Sequence, residues 1–508
     1  MNKTLGVVSA GDIKTAKAGE EMLKLGGNAY DAMCASLLAA PLCEPILTSL
    51  AGGGFMLCAK EGGEPVVYDF FVDVPKKSVD KPEFFPMEVD FGTTKQEFHI
   101  GCGSAAVPGV IKGIWEVYKD LCSLPFEEII KPAFRYAKEG ICLTKIQADF
   151  IKLLSPIYLS TESSKGLYIK NGSLIDEKHL YKNEEYANFL KLFAKKGEKL
   201  FYEGEVAKSI EDMCIKHNGL LNRENLKNYQ VIKKAPLKFN YKDYTVYTNP
   251  PPSSGGILIA FSLLLLENEE LGEYRSQDYF QKLIASQKIT RKFRKECVDE
   301  FLHTNNLREK LKDDKLLESF KEEYKKELNL WGNTTHISIM DSFGNIASCT
   351  TSNGEACGHI IPGTGIMLNN MLGEEDLNPH GFFKWQSGIR LPSMMSPAAL
   401  YKGKEFALAL GSAGSNRIRS AILEVILNYT HFKMDIQEAI DEPRVHYESG
   451  TIFCEPPLKI DTSKVQKKYN INSFKEKNLF FGGVQAVGAG FDGGADKRRG
   501  AVSIVVKK

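Results

Sequence analysis

Thr334-Thr335-His336 places two hydroxyls and an imidazole at the head of a run that continues Ile337-Ser338-Ile339-Met340-Asp341. A threonine hydroxyl is a weak nucleophile until a base takes its proton, so the run does chemistry only where such a base is supplied. β-Branched residues also open ordinary strands, and that plain reading stands beside the chemical one. Asp341-Ser342-Phe343-Gly344-Asn345 predicts a hairpin turn, with Ile346-Ala347-Ser348-Cys349-Thr350-Thr351-Ser352 as the returning strand. Pro362-Gly363-Thr364-Gly365 and Leu368-Asn369-Asn370 follow. Gly411-Ser412-Ala413-Gly414-Ser415-Asn416-Arg417 then forms a small-residue loop ahead of a helical stretch, whose N-terminus favours anions.

Other motifs carry less. Gly488-Ala489-Gly490-Phe491-Asp492-Gly493 fits the dinucleotide fingerprint, but too little chain follows it for a βαβ unit, so a loop between the last strands is expected. Gly52-Gly53-Gly54-Phe55 lacks the Gly-Lys-Ser/Thr of a phosphate loop and reads as close backbone packing. There is no Gly-x-Ser-x-Gly nucleophile elbow.

The string from Asn333 to Asn370 resembles the start of the small subunit of the γ-glutamyltransferases, self-cleaving members of the N-terminal nucleophile hydrolases. Gly26-Gly27-Asn28-Ala29-Tyr30-Asp31-Ala32, Gly52-Gly53-Gly54-Phe55, Val107-Pro108-Gly109 and Pro250-Pro251-Pro252-Ser253-Ser254-Gly255-Gly256 resemble the large subunit, in the family's order. The resemblance therefore covers nearly the whole chain. It implies an α+β fold, a four-layer αββα sandwich, made as a zymogen and cut at Asn333–Thr334. Fragments 1–333 and 334–508 then remain one domain. Thr334 becomes the nucleophile, and its new α-amine, with a pKa near ~7.7–8.0, the base. Ser352 stands where the family usually has a threonine that holds this amine. Gly414-Ser415 stands for the family's Gly-Gly oxyanion donors. The implied substrates are γ-glutamyl amides such as glutathione, with water or an amine as acceptor and no cofactor.

The substrate clamps depart from the family. Its carboxylate-gripping arginine, after an Asp-Phe pair, is replaced by Phe71. Its Ser-Ser pair reads Ser393-Met394, and its acidic residue for the substrate amine falls at or near Glu374. An asparagine of the family appears as Gly354, with Asn353 and Glu355 beside it. Arg390 and Arg417 are the cations to consider in place of the lost one. Two alternatives stay open: an acylase-like enzyme for non-γ-glutamyl amides, and an uncleaved homologue that only binds.

The elements that position these residues read as follows. Thr15 to Leu25 and Ala29 to Leu42 predict helices, the first ending at Gly26-Gly27. Residues 110 to 330 read as mainly helical, with an apolar helix at Ile257 to Leu266 and a charged stretch to Leu330. Strands dominate after 334, with helices at Arg417 to Phe432 and Ile436 to Asp441. The 508 residues are 43% hydrophobic and 25% charged with net charge +1, a globular composition without the basic excess of a nucleic-acid binder. The N-terminus has no h-region and no apolar run is long enough to span a bilayer, so a cytoplasmic chain with no membrane partner is expected; an oligomer is possible. Eleven cysteines without Cys-x-x-Cys and nine histidines without His-x-x-x-His give neither a disulfide scaffold nor a metal motif, and no metal is expected.

Overall fold

Thr335–Asp341 and Ile346–Ser352 form the predicted hairpin, in register from Thr335 opposite Thr351 to Met340 opposite Ile346. Asp341 closes the turn: its Oδ1 accepts from the backbone N–H groups of Phe343 (2.8 Å) and Asn345 (3.0 Å), and its Oδ2 accepts from Ala29 N (2.9 Å) at the start of a helix. The coordinates are a computed structural model that describes residues 3–76, 78–90, 95–299, 301–303, 307, 334–458 and 469–508.

The hairpin lies inside a seven-stranded sheet ordered Ile232–Lys234, Val66–Phe70, Gly53–Ala59, Ile346–Ser352, Thr335–Asp341, Thr4–Ala10, Val502–Lys507. The second sheet has six strands, ordered Leu237–Tyr241, Tyr244–Thr248, Ala398–Lys402, Glu405–Ala413, Gly483–Gly488, Gly493–Ala495. Successive side chains of a strand face opposite ways, and here both faces are covered. Ile337, Ile339 and Cys349 join the core under helices Ile13–Lys24 and Ala29–Cys43, while Met340 and Ile346 join the core that includes the second sheet. Helices Ser254–Leu266 and Arg417–Thr430 cover the other side of that second sheet. The order helix, sheet, sheet, helix is the expected αββα sandwich, and both sheets mix strands from either side of residue 333.

Local chemistry sets the helix ends. Asp12 accepts from Lys14 N (2.7 Å), and Asn28 with Asp31 forms a capping box. Helix Ser254–Leu266 is apolar on all sides because it is buried on all sides. The triple glycine packs closely, as expected: a Cβ on Gly54 would meet Thr350 O at 2.6 Å and the Phe70 ring at 2.7 Å. The Gly488–Gly493 decoy is the turn between two strands.

One expectation needs correcting. The region read as mainly helical supplies two full strands of the second sheet, Leu237–Tyr241 and Tyr244–Thr248. Tyr-Thr-Val-Tyr-Thr has the aromatic and β-branched composition of a strand, and charged neighbours hid it. The charged segment beyond it, and Asn333, lie largely outside the described residues. Among those residues no helix is long and apolar enough to cross a membrane.

Candidate active site

Thr334 sits just ahead of its strand, 4% exposed, on the wall of a small, partly open cavity. Thr335 faces the other way and donates to Glu44 Oε2 at 2.6 Å; Thr15 donates to Glu44 Oε1 at 2.8 Å. Burial pushes the Glu44 carboxyl up to about 7. The second threonine thus anchors the strand from behind, which leaves Thr334 directed to the cavity. His336 is tied down within its own sheet: Nδ1 lies 2.7 Å from Thr350 Oγ1 and Nε2 2.9 Å from Ser338 Oγ. Its ring packs where any Cβ on Gly411 would collide with it. Burial lowers this imidazole to about 3, so it is neutral and serves as a spacer. A neutral imidazole held by two hydroxyls in this way is not directed at Thr334.

Ser352 shares the cavity wall, and its Oγ accepts from Gly354 N at 3.0 Å. The loop between Glu405–Ala413 and the helix beginning at Arg417 turns through Gly414 (φ +115°) and Ser415 (φ +51°). Their carbonyls accept from Arg417 N and Ile418 N, both at 3.0 Å. Among the described residues neither of their own N–H groups donates a hydrogen bond, so two successive donors stay available beside the cavity. Ser415 reaches the wall; Gly414 stands one residue behind it.

Two carboxyls line the same cavity. Glu374 is raised by burial, against hydrogen bonds from Glu355 and Asn370 that favour its ionised form. Asp376 is pushed up to about 7 by burial, with Arg294 and Arg417 pulling it down and Glu448 pushing it up. Asn416 donates to Asp376 Oδ1 at 3.0 Å. The sequence reading placed the acidic position at or near Glu374, two residues from Asp376, without singling out Asp376, and it missed Glu44, which no local pattern marks.

The opposite wall is apolar. Phe71 stacks on Phe55 with ring centroids 5.4 Å apart, and Met394, Met395 and Ile418 adjoin it. Ser393 also lines the cavity; its carbonyl accepts from Ser254 N (3.0 Å), Gly255 N (3.1 Å) and Ser253 Oγ (2.9 Å). The Pro-Pro-Pro-Ser-Ser-Gly-Gly segment therefore seats this wall.

Neither candidate cation, Arg390 or Arg417, lines the cavity. Arg390 donates through Nε to Asp73 (2.6 Å), through Nη1 to Asp69 (2.7 Å) and through Nη2 to Gln230 O (2.7 Å), with its plane over Tyr229. Those acceptors hold it away from the cavity. Arg417 is 1% exposed, lies over the Phe480 ring at 5.1 Å, and is not part of the wall. Asn353 also lies off the wall, because the chain turns left-handed at Gly354 (φ +63°) and presents that glycine instead. A Cβ on Gly354 would collide with Asn370 Oδ1, so the larger residue of the resemblance does not fit here.

A threonine heading a central strand of an αββα sandwich is the arrangement of the N-terminal nucleophile hydrolase fold. The chain belongs to the γ-glutamyltranspeptidase family, which it matches over residues 15–506. It is 27% identical over 496 residues to the glutathione hydrolase proenzyme of Bacillus subtilis (strain 168), covering 88% of this chain and 81% of that one. It is 30% identical over 470 residues to the acylase ACY 1 proenzyme of Pseudomonas sp. (strain V22), covering 89% and 84%. The solved cephalosporin acylase of Bacillus halodurans shares its fold at a TM-score of 0.86 with 22% identity, over 99% of this chain and 96% of that one.

Proposed function

We propose that the chain cuts its own Asn333–Thr334 bond and then opens amide bonds through an acyl-enzyme on Thr334, with γ-glutamyl amides such as glutathione as its substrates. The observation that carries this is the meeting of Thr334, Ser352, Ser415 and the Glu374 and Asp376 carboxyls around one cavity, with Gly414 next in the chain to Ser415. In the reaction Thr334 Oγ bonds to the amide carbon while the Thr334 amine takes its proton. The Gly414 and Ser415 N–H groups face the developing oxyanion, a contribution worth ~2.7–4 kcal/mol per donor in comparable sites. The leaving amine departs with the proton held by the base, and water or a second amine then releases the acyl group. The two carboxyls suit the α-ammonium of a γ-glutamyl group.

A second reading rests on Phe71, Met394 and the commitment of Arg390 to Asp69 and Asp73. These features favour an acyl group without an α-carboxylate, the class that the similarity to acylase ACY 1 also supports. A reduced cytoplasmic setting is part of the proposal, and cell fractionation tests it.

Intact-mass measurement of purified protein is the deciding experiment. Fragments of roughly 37 and 19 kDa are expected, and a single uncut chain from Thr334→Ala. Cleavage at another bond, or an uncut wild-type chain after long incubation, would overturn the assignment of Thr334.

A further inference from the structure

The loop that brings Gly354 to the cavity continues into Cys357 and His359, where four segments distant in sequence converge. His359 Nε2 lies 2.8 Å from Glu83 Oε2. The donor atoms of Glu83, Cys102 and His359 all fall within 4.8 Å of one another. His217 Nδ1 is 3.6 Å from Glu83 Oε1, and its ring centroid is 4.6 Å from that of His359. Cys102 and His359 are buried at 0% and 5% exposure, while His217 and Glu83 are part-exposed and open a route from solvent. The Cys102 N–H also donates to Glu83 Oε2 at 2.8 Å, which fixes the carboxylate over the thiol.

We propose that Glu83, Cys102, His217 and His359 form a binding site for a zinc-class divalent transition metal. A thiolate, imidazoles and one carboxylate match that class and not magnesium or calcium, which prefer all-oxygen shells. Zinc bonds of ~2.0–2.3 Å in a tetrahedron place ligand atoms about 3.3–3.8 Å apart. The His359–Glu83 pair must therefore open slightly, and the remaining donors draw in. The metal–sulfur bond forms as the Cys102 S–H bond breaks, and that proton leaves to solvent.

Glu83, Cys102 and His217 precede residue 333 and His359 follows it. If the chain is cut as proposed above, the ion ties the two fragments together; the binding itself does not depend on the cut. Histidine spacing gave no sign of the site because each ligand comes from a different loop or helix end.

The test is titration of the chelator-stripped full-length chain with Co²⁺ and then Zn²⁺. One equivalent of Co²⁺ should give near-ultraviolet thiolate-to-metal charge transfer and strong visible bands of tetrahedral cobalt, and one equivalent of Zn²⁺ should remove both. Cys102→Ser should abolish the charge-transfer band. His359→Gln should weaken Zn²⁺ binding by more than about tenfold. The exposed-cysteine variant Cys142→Ser and Thr334→Ala should both bind normally, the second showing that the site stands apart from the cleavage chemistry. Zn²⁺ should raise the melting temperature of the wild-type chain and not that of His359→Gln. No charge-transfer band at one equivalent, or a band that survives in Cys102→Ser, would overturn the site. The Cys102 thiol also hydrogen-bonds with the buried Cys214 thiol, so a Cys102–Cys214 disulfide found in freshly purified protein would overturn it as well.

Discussion

Phe71→Arg restores the one cation that the cavity lacks, and its effect can be sized in advance. A γ-glutamyl group carries an α-ammonium and an α-carboxylate on one carbon. With the ammonium placed at Glu374 and Asp376, the rest of the wall offers the carboxylate Phe71 and Met394 and no cation. Arg390 cannot turn to it without abandoning Asp69, Asp73 and the Gln230 carbonyl. A hydrogen bond to a charged group contributes ~1.5–3 kcal/mol, which is about 10- to 150-fold in kcat/KM. Three p-nitroanilides separate the contributions: γ-glutamyl with both groups, glutaryl without the amine, and 4-aminobutyryl without the carboxylate. In the wild type the ratio of γ-glutamyl to 4-aminobutyryl kcat/KM should be near unity, and Phe71→Arg should raise it by that 10- to 150-fold factor. The variant also loses the Phe55 stack, at a cost of ~0.5–1.5 kcal/mol beyond area burial, but both substrates meet the same weakened fold and the ratio cancels this. A wild-type ratio already well above tenfold, unchanged in Phe71→Arg, would refute the reasoning and show a carboxylate clamp elsewhere.

Glu374→Gln should reduce kcat/KM for the γ-glutamyl and 4-aminobutyryl amides by about tenfold or more while sparing the glutaryl amide; equal losses on all three would remove Glu374 from ammonium binding. Because Asp376 titrates near about 7, the γ-glutamyl to glutaryl ratio should climb as pH rises through 7, and Asp376→Asn should flatten that climb. The same raised value has a stability consequence of opposite sign. The native state keeps a proton that the unfolded chain gives up near pH ~4, so stability falls as pH rises from about 4 to 7, and Asp376→Asn should lessen the fall in melting temperature over that window. Ser352→Ala, if it still matures, should lower turnover by up to about 10²–10⁴ through loss of amine positioning; an unchanged rate rejects that role. Ser415 holds φ +51°, so Ser415→Gly should retain activity and relieve roughly 1 kcal/mol of strain, while Ser415→Val should inactivate faster on heating. The reverse order of heat tolerance would show that the turn carries no strain.

Features that are local in sequence were legible. The Thr334 hairpin, the capped helices and the Gly414-Ser415 turn each depend on residues within a few positions of one another, so pattern reading found them. The carboxylate wall was half legible: Glu374 fell within a motif, but Asp376 gains its meaning from Arg294, Arg417 and Glu448. Glu44, which anchors Thr335 across 291 positions, left no mark in the sequence. Arg390 was a reasonable candidate by type, and only the fold shows its donors taken. Strands Leu237–Tyr241 and Tyr244–Thr248 were lost because a helix-rich neighbourhood outweighed five-residue runs of the right composition.

The Asp69–Arg390 pair fixes the backbone that carries the cavity wall at position 71. Asp69 is buried between Arg390 and Lys234, and these cations hold its carboxyl below the usual range even though burial pushes it upward. Its Oδ1 also accepts from Phe71 N at 3.1 Å, which sets the path of the chain at position 71. Whatever side chain stands at 71 is therefore delivered to the same place on the wall. The strand headed by Thr334 reaches the cavity by a separate route, through Thr335 and Glu44. Recognition and bond breaking are thus held by different buried contacts, so a change at 71 should alter which acyl groups are accepted and leave self-cleavage at Thr334 untouched. If Phe71→Arg matured more slowly than the wild-type chain, this independence would be lost, and Phe71 would have to be counted among the residues that shape the cleavage site itself.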